Sequence, residues 1–514
     1  MKFWAFGLLL WASISTGKRI IVFSPLMSGQ LGEASGICDA LIKSGHEVYI
    51  VTEEHVKYPR QLKHVTGLKY LHFRSPVKET LAPKTLENKL AEFIFEEIDL
   101  ITFMKKMDIQ SFTNYFGECL LNDTHLLKNI RQLNFDFAIF DSFMPFLGII
   151  PYIADIPYAS WSPLTTPFRM NLPPLTGFEP CDLYGDRNTF FNRIKHLFQA
   201  LFFQNIPYFM TNEARFVKWI QDNHPSHALK RSLTEIVSNS KFFILATNNL
   251  LDCPAPLNPD IVYAGGLSVH PPKPLSKEVE KIVQAANDGI IVFTLGSTVS
   301  KMPNNVLVKF IDAFKKVKQT VLWRLTLSED QKDIVFPSNV KIMEWLPQND
   351  LLGNPKTRLF ITHSGANGQA EALYHGVPVI GFPIHADQIY NAKKFAMRGY
   401  GLELNIRKFE SDELLRAIHE ILSNPKYKNK IEWSSKIFKS GGLASKNVAE
   451  MVDHVLEFGV EHLKTAGDQM EWYQFYMIDM FLFVVVTGLL CLYASYRIAR
   501  RCLGYCFSSK KKTE

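Results

Sequence analysis

Both halves of the chain repeat an alternation of apolar strands and helical stretches, and this pattern limits the possible folds more than any other feature. The first half opens with the strand KRIIVFS, a helical stretch over about 30–43, and the strand HEVYIVT. The second half restarts with GIIVFTLGS, a helical stretch over about 304–318, and the strands VLWRL, VKIMEWLP, RLFITH and PVIGFP. Consecutive strands joined through helices run parallel, so the sequence predicts an α/β protein with two doubly wound sheets.

A proline-dense segment separates the two halves. Residues 253–274 read CPAPLNPDIVYAGGLSVHPPKP, a composition that ends regular structure. The chain of 514 residues also exceeds the usual size of a single hydrophobic core. We therefore expect one domain over 18–265 and a second over 266–470. Two such domains in tandem leave a cleft between them, and ligands bind beyond the carboxyl ends of parallel strands.

Apolar segments near the two ends predict the membrane topology. Residues 1–17, MKFWAFGLLLWASISTG, have the early lysine, apolar run and small residues of a secretory signal peptide. Residues 475–496 are apolar and long enough to cross a bilayer as one helix. Arg497, Arg500 and Arg501 follow at once, so we expect a cytosolic tail over 497–514 and lumenal domains before the helix. This is the pattern of a type I single-pass membrane protein.

Two short motifs refine the localisation. Lys511 and Lys512 stand fourth and third from the end of the predicted tail. They resemble the dilysine signal that returns membrane proteins to the endoplasmic reticulum, although lysines there also serve as charge attracted to anionic lipid. Asn122 begins the N-glycosylation acceptor sequence Asn-Asp-Thr. The sequence thus predicts a glycoprotein of the endoplasmic reticulum membrane.

The composition excludes one class of partner. The formal net charge is +7, but the basic residues are dispersed, and the sequence contains no basic helix or aromatic platform. Nucleic-acid binding is therefore not expected. The cysteine spacing also suggests neither a zinc site nor a disulfide framework.

Polar residues of the second half cluster where predicted strands end. The strand RLFIT delivers His363, and the turn containing Gly365 and Asn367 opens a helix. Free backbone N–H groups and the helix dipole suit a phosphate or diphosphate at this point. Glu371 lies one helical turn beyond Asn367 and can accept hydrogen bonds from a ribose diol.

The flanking loops add groups suited to the rest of a sugar nucleotide. Asp387 and Gln388 follow the strand PVIGFP and can hold sugar hydroxyls, while Trp345 and Gln348 offer a flat surface and an amide for a base. Each residue alone has a simpler explanation: Trp345 as core, Asn367 as a helix cap, or His363 as a hydrogen-bonded strand-end histidine. Only the combination indicates a binding site.

Taken in this order, these residues resemble the signature of the UDP-glycosyltransferase family, the inverting GT-B enzymes that include UDP-glucuronosyltransferases. The resemblance covers nearly the whole chain and implies two Rossmann-like domains facing a cleft, an acceptor-binding domain over 18–265 and a UDP-sugar-binding domain over 266–470. It also implies roles for the residues that bind the donor: Trp345 on uracil, Gln348 on uridine, Glu371 on ribose, His363, Gly365 and Asn367 on the diphosphate, Asp387 and Gln388 on the sugar, and Ser297 of the turn TLGS near the phosphates.

The resemblance also implies the partners. The expected co-substrate is UDP-glucose or UDP-glucuronate, the expected acceptor is a small lipophilic aglycone, and homo- or hetero-oligomers are possible. The aromatic segments 93–116, 145–168 and 198–209 fit a lipophilic acceptor, but they fit a buried core equally well. The Asp-any-Asp motif by which other glycosyltransferases hold a metal is absent from the sequence. We therefore expect neither a metal nor a cofactor.

The catalytic pair of the family is incomplete in this sequence. Inverting transfer needs a base for the acceptor hydroxyl, which the family supplies as a histidine supported by an aspartate. Asp141, at the end of FDFAIFD, occupies the place of the aspartate. The histidine position falls on Gln30, counted either forward from Pro25 or back from Gly45. An amide cannot accept a proton near neutral pH, so Gln30 cannot act as that base.

Three hypotheses follow from Gln30. The protein transfers sugar to acceptors that need little activation, such as amines, acidic phenols and carboxylates. Alternatively, another residue such as Glu33 or Asp141 takes over as base for ordinary alcohols. In the third, the protein is a catalytically weak or inactive UDP-sugar-binding partner of active family members.

Overall fold

The computed structural model describes residues 17–56, 59–75, 95–96, 100–162, 191, 194, 211–230, 232–252, 258–296, 299, 301–385 and 387–510. The predicted signal peptide (apart from Gly17), Ser297 and the two tail lysines lie outside the described residues.

Thirteen strands of the described chain form two sheets. The strands are β1 Arg19–Phe23, β2 Glu47–Glu53, β3 Lys69–Phe73, β4 Phe137–Asp141, β5 Tyr158–Ser162, β6 Phe243–Leu245, β7 Ile261–Tyr263, β8 Ile290–Thr294, β9 Thr320–Arg324, β10 Val340–Met343, β11 Thr357–Thr362, β12 Val379–Gly381 and β13 Gly401–Glu403. The first sheet has the order β3-β2-β1-β4-β5-β6-β7, and the second has the order β10-β9-β8-β11-β12-β13.

Helices connect most of these strands, and five more helices of the described chain follow the last strand. They are α1 Ser28–Lys43, α2 Leu100–Met107, α3 Ile109–Asn122, α4 Thr124–Leu133, α5 Ile149–Ile153, α6 Glu213–Asn223, α7 Thr234–Ser238, α8 Lys277–Ala285, α9 Asn304–Phe314, α10 Gln348–Leu352, α11 Ala366–His375, α12 Asp387–Met397, α13 Ser411–Ser423, α14 Pro425–Ser440, α15 Ala444–Phe458, α16 Trp472–Phe475 and α17 Ile478–Lys510. Short 3₁₀ helices lie at Glu54–Val56, Arg60–Leu62, Pro145–Gly148, Pro225–His227, Glu329–Gln331, Glu461–Leu463 and Ala466–Gln469.

The two sheets share one topology, and their pairings are parallel throughout. In each sheet the chain first winds outward to one edge, then returns past its first strand and winds to the other edge. Central strands such as β4 and β8 are buried along their whole length, as strands covered by helices on both faces must be. The predicted pair of doubly wound α/β sheets is confirmed.

This winding order fixes where a ligand can bind. A crevice opens beyond the carboxyl ends of the strands where the winding reverses. In the first sheet that point lies between β1 and β4, and in the second between β8 and β11. The residues that follow these four strands are therefore the ones to inspect for chemistry.

Helix α15 follows the second sheet in sequence but packs against the first half. Its buried residues Val448 and Val452 lie in one hydrophobic cluster with Ile37 and Leu41 of α1. The imidazole Nε2 of buried His46 lies 2.7 Å from the Asp453 carboxylate and ties the end of the α1 turn to α15. The carboxyl-terminal region of the fold is thereby fastened to the amino-terminal sheet.

The chain then leaves both sheets as a long apolar helix. Met477, with φ at +54°, separates α16 from α17, so the helix begins at Ile478 and not at residue 475. Its segment Ile478–Leu503 is long and apolar enough to cross a membrane and is not buried against the rest of the protein. This segment corresponds to the predicted transmembrane helix.

Candidate active site

His363 follows β11 at the reversal point of the second sheet, with its ring between two glycines. A Cβ on Gly296 would lie 2.5 Å from His363 Nε2, and one on Gly365 would lie 2.6 Å from the same nitrogen. Gly296 also has φ at +84°, a conformation that other residues adopt only with strain. The turn after β8 is thus built to let the imidazole approach its backbone.

The environment keeps the His363 imidazole neutral. Burial lowers its pKa to about 3, and the neighbouring His385 and Arg324 add to the effect. Its Nδ1 lies 3.3 Å from the Thr362 hydroxyl, while the Nε2 side faces the glycines. A neutral imidazole can donate one N–H without carrying charge itself. This suits a group that contacts a diphosphate.

The turn between β11 and α11 is strained in a way the sequence does not signal. Ser364 has φ at +66° although it is not glycine, and it is fully buried. Strained non-glycine residues of this kind concentrate at functional sites. Gly365 then serves as the N-cap of α11, so the first helical N–H groups of the ten-residue helix open next to His363.

Gln348 and Glu371 form a direct pair. The Gln348 amide Nε2 donates to Glu371 Oε2 at 2.6 Å, which links the start of α10 to α11. Burial nevertheless raises the pKa of the Glu371 carboxyl to about 7, and Gln348 only partly offsets this. The two residues that the resemblance assigns to the nucleoside are therefore neighbours, as one uridine site requires.

Trp345 is 39% exposed, and two arginine side chains pack over its indole ring. The guanidinium carbon of Arg324 lies 5.0 Å from the ring centroid, and that of Arg60 lies 4.8 Å away. Arg324 also donates to the Gly296 carbonyl, which joins the indole to the His363 turn. Arg324 was not among the site residues predicted from the sequence. Its position near the end of the predicted strand VLWRL is the signal that could have identified it.

Asp387 and Gln388, the first two residues of α12, make different contacts. Asp387 Oδ2 accepts from Asn391 at 2.6 Å, and burial raises its pKa. The Gln388 amide oxygen accepts from the backbone N–H groups of Ile384 and His385, at 3.1 and 3.2 Å. The Gln388 amide oxygen thus holds the loop that precedes α12, and Asp387 lines the pocket between the two halves.

On the facing side, Asp141 ends β4 and is fully buried. Its Oδ1 accepts from the Phe143 backbone N–H at 2.7 Å, and burial raises its pKa to about 8. Gln30 lies in the first turn of α1, after the carboxyl end of β1. One turn further along α1, the buried Glu33 lies close enough to Asp141 for the two charges to interact.

The two halves meet at this point through a hydrogen bond. The Asn367 amide donates to the Gly29 carbonyl at 2.9 Å, so the start of α11 contacts the start of α1. The predicted diphosphate residue thus touches the residue immediately before Gln30.

Asn122 lies elsewhere, exposed at the end of α3. Of the predicted aromatic acceptor segments, 93–116 contributes Phe112 and Phe116 to the core and 145–168 contributes Phe146, whereas 198–209 lies outside the described residues.

Comparison with known proteins gives consistent matches. The family model described as "UDP-glucoronosyl and UDP-glucosyl transferase" matches residues 19–513. A UDP-glucuronosyltransferase 2B17 of Mus musculus is 30% identical over 502 residues, covering 90% of each chain. A UDP-glucuronosyltransferase 1A8 of Homo sapiens is 29% identical over 527 residues, covering 95% of this chain and 93% of the relative.

Solved structures resemble the fold. The glycosyltransferase of kitacinnamycin matches with a TM-score of 0.59 at 16% identity, covering 86% of this chain and 99% of that one. The glycosyltransferase VinC in complex with DTDP matches with a TM-score of 0.55 at 18% identity, covering 85% and 99%. At these identities the likeness concerns the fold, which is that of GT-B glycosyltransferases.

Proposed function

The chain belongs to the UDP-glucuronosyl and UDP-glucosyl transferase family, and from that premise we propose the reaction it catalyses. It transfers a hexosyl group, glucose or glucuronate, from a UDP-sugar to a small lipophilic acceptor, with inversion at the anomeric carbon. The observation that carries this proposal is the arrangement of neutral His363 and the α11 N-terminus at the reversal point of the second sheet.

The donor half of the reaction follows from this geometry. As the bond between the anomeric carbon and the β-phosphate oxygen breaks, negative charge grows on the diphosphate. The N–H of His363 and the free backbone N–H groups at the start of α11 stabilise that charge. Trp345 and the Gln348–Glu371 pair hold the uridine, and Asp387 contacts the sugar. We propose that this leaving-group stabilisation needs neither a metal nor a cofactor.

The acceptor half is less complete. Gln30 can donate and accept hydrogen bonds, but it cannot remove a proton near neutral pH. Proton removal therefore falls to the acidity of the acceptor itself or to another group of the cleft. The lipophilic acceptor class rests on the family resemblance and on the apolar helix α17, which would hold the enzyme where lipophilic compounds partition.

The same proposal includes the location. The protein lies in the endoplasmic reticulum membrane with α17 as its single span, both sheets in the lumen and the basic tail in the cytosol. The apolar length of Ile478–Leu503 and the arginines that follow residue 496 support this orientation.

The test uses the full chain in microsomes. They are incubated with UDP-glucose or UDP-glucuronate and a panel of phenols, amines, carboxylic acids and aliphatic alcohols, and conjugates are detected by mass. A conjugate with at least one donor supports the proposal. Binding of UDP-sugar without any conjugate, across the whole panel, overturns it and favours a non-catalytic binding partner of active family members.

A further inference from the structure

Glu33 is a buried carboxyl whose burial the fold does not explain. Only 4% of its surface is exposed, and its Oε2 has no hydrogen-bond partner among the described residues. The indole N–H of Trp161 lies near enough to lower the Glu33 pKa but does not reach hydrogen-bond geometry. A buried carboxyl without a partner is costly, so its presence indicates a ligand or a reaction.

Asp141 adds a second such group. Its Oδ2 is also buried without a partner in the described part of the chain. Asp141 and Trp161 are paired across β4 and β5, and α1 packs over this part of the sheet through Leu31 and Ala34. Two carboxyls with unpartnered oxygens, Glu33 on α1 and Asp141 at the end of β4, therefore lie where α1 packs on the sheet.

Glu33 shares a pocket with residues of the proposed donor site. Glu33 lines a pocket between the two halves together with Asn367, Gln369 and Asp387. The Nε2 of Gln369 is likewise buried without a partner among the described residues. If Asn367 contacts the diphosphate and Asp387 the sugar, the anomeric carbon between them lies in this pocket. Glu33 then faces that carbon from the acceptor side.

We propose that Glu33 is the catalytic base of this enzyme, in place of the histidine that Gln30 has replaced. This inference rests on the proposed function. The Glu33 carboxylate takes the proton of an acceptor hydroxyl while the hydroxyl oxygen forms a bond to the anomeric carbon. The bond from that carbon to the β-phosphate oxygen breaks, and its electron pair leaves with UDP. The proton passes from Glu33 to solvent after product release.

Asp141 is a weaker candidate for the same task. One of its oxygens is committed to the Phe143 N–H, and it is not among the residues that line the pocket. Its contribution is electrostatic: the Asp141 charge opposes ionisation of Glu33.

The charges around Glu33 set the pH dependence. Asp141 on β4 and Asp387 on α12 face it and add to the effect of burial, which raises the Glu33 pKa to about 8. The cation of the same pocket, Lys394, is paired with Asp252. The ionised, proton-accepting form of Glu33 therefore increases between pH 7 and 9. Transfer to alcohols should rise over this range.

The experiment compares Glu33→Gln with the wild-type full chain in microsomes, using an aliphatic alcohol and an acidic phenol as acceptors. Loss of a general base lowers kcat by about 10² to 10⁴. We expect that loss for the alcohol, a smaller loss for the phenol, and a UDP-sugar KM within about twofold of wild type. The rise in rate with pH should disappear. Glu457→Gln, an exposed acid on α15, is the matched control and should behave as wild type.

A second variant tests whether Glu33→Gln lowers the rate by removing a base or by disturbing the fold. Adding Gln30→His to Glu33→Gln supplies an imidazole at the family position and should restore transfer to the alcohol. An unchanged alcohol rate and pH profile in Glu33→Gln overturns the inference alone, because the wild type still shows transfer. Loss of UDP-sugar binding by Glu33→Gln together with the loss of alcohol transfer would indicate a structural role and also overturn the inference. Absence of transfer by the wild type overturns the proposed function as well.

Discussion

At the residue scale, the proposed donor site depends on contacts with His363 that are too close for a Cβ at Gly296 or Gly365. His363 can occupy its position only because Gly296 and Gly365 present no Cβ to it. Gly296 also adopts a positive φ, so this position requires glycine both for its backbone conformation and for the close approach of His363. The resemblance indicated that this turn lies near the phosphates, but the contact with the imidazole is visible only in three dimensions.

Gly296→Ala should therefore impair donor use more than stability. The alanine strains the backbone by about 1 kcal/mol and also displaces His363, so kcat/KM for the UDP-sugar should fall by about 10² or more. Gly459→Ala is the control, since Gly459 has φ at +73° but nothing within 4 Å of the added Cβ. It should lower stability through backbone strain and leave kcat/KM unchanged. Equal kinetic effects of the two substitutions would contradict the role given to Gly296.

Glu33 predicts a pH dependence of stability with a definite sign. Its pKa is about 8 in the folded protein, against roughly 4.3 when unfolded, so the folded state retains a proton that the unfolded state releases. The free energy of unfolding consequently decreases as pH rises from about 4 to 8. Glu33→Gln removes this term. The thermal midpoint of Glu33→Gln minus that of wild type should therefore be larger at pH 8.5 than at pH 5.5. An equal difference at the two pH values would contradict a Glu33 carboxyl that is buried and protonated in the folded protein.

Sequence reasoning reached some site residues and missed others for physical reasons. Gln348 and Glu371 could be placed in one site because each follows a strand end at the same edge of a parallel sheet. The left-handed conformation of Ser364 could not be foreseen, since serine carries no preference for it. Arg324 was missed because its strand neighbour β8 is known only once the winding order is known.

At the scale of elements, the alternation of strands and helices predicted both sheets correctly. The regularity of the pattern explains this success: the central strands are short apolar runs, and most connections between consecutive strands contain a helix. The attachment of α15 was not predictable in the same way. An apolar stripe shows that a helix buries one face, but it does not show which surface covers that face.

The α15 interface yields a stability prediction. Val452 is fully buried against the cluster that includes Ile37 and Leu41 of α1. Val452→Ala should lower the free energy of unfolding by about 2 kcal/mol, from lost burial and the cavity left behind. Val308→Ala, at a position 47% exposed on α9, should have little effect. If thermal inactivation of the two variants is indistinguishable, α15 does not hold the first half as described.

At the scale of the whole molecule, the reaction requires both halves at once. The proposed donor groups lie in the second half, the proposed base lies in the first, and the hydrogen bond from Asn367 to Gly29 crosses between them. Neither half alone contains the set of groups that transfer needs. The cleft, rather than either sheet, is therefore the functional unit.

The membrane orientation makes its own prediction at this scale. Asn122 is exposed, and its side-chain oxygen accepts from the Trp219 indole, so an attached glycan would project from the surface of the first half. If that half is lumenal, an endoglycosidase should increase the gel mobility of the protein made in microsomes. Asn122→Gln should show the faster mobility without treatment. No shift in either case would contradict a lumenal first half with Asn122 glycosylated.

Inverting hexosyl transfer from a UDP-sugar is the central claim, and the anomeric configuration of the product tests it most directly. The full chain in microsomes converts an α-linked UDP-sugar and a reactive phenol to a conjugate, whose anomeric proton is examined by NMR. Attack from the acceptor domain, opposite the diphosphate at His363, predicts a β-linked product. An α-linked product, or free sugar without conjugate, would contradict the account.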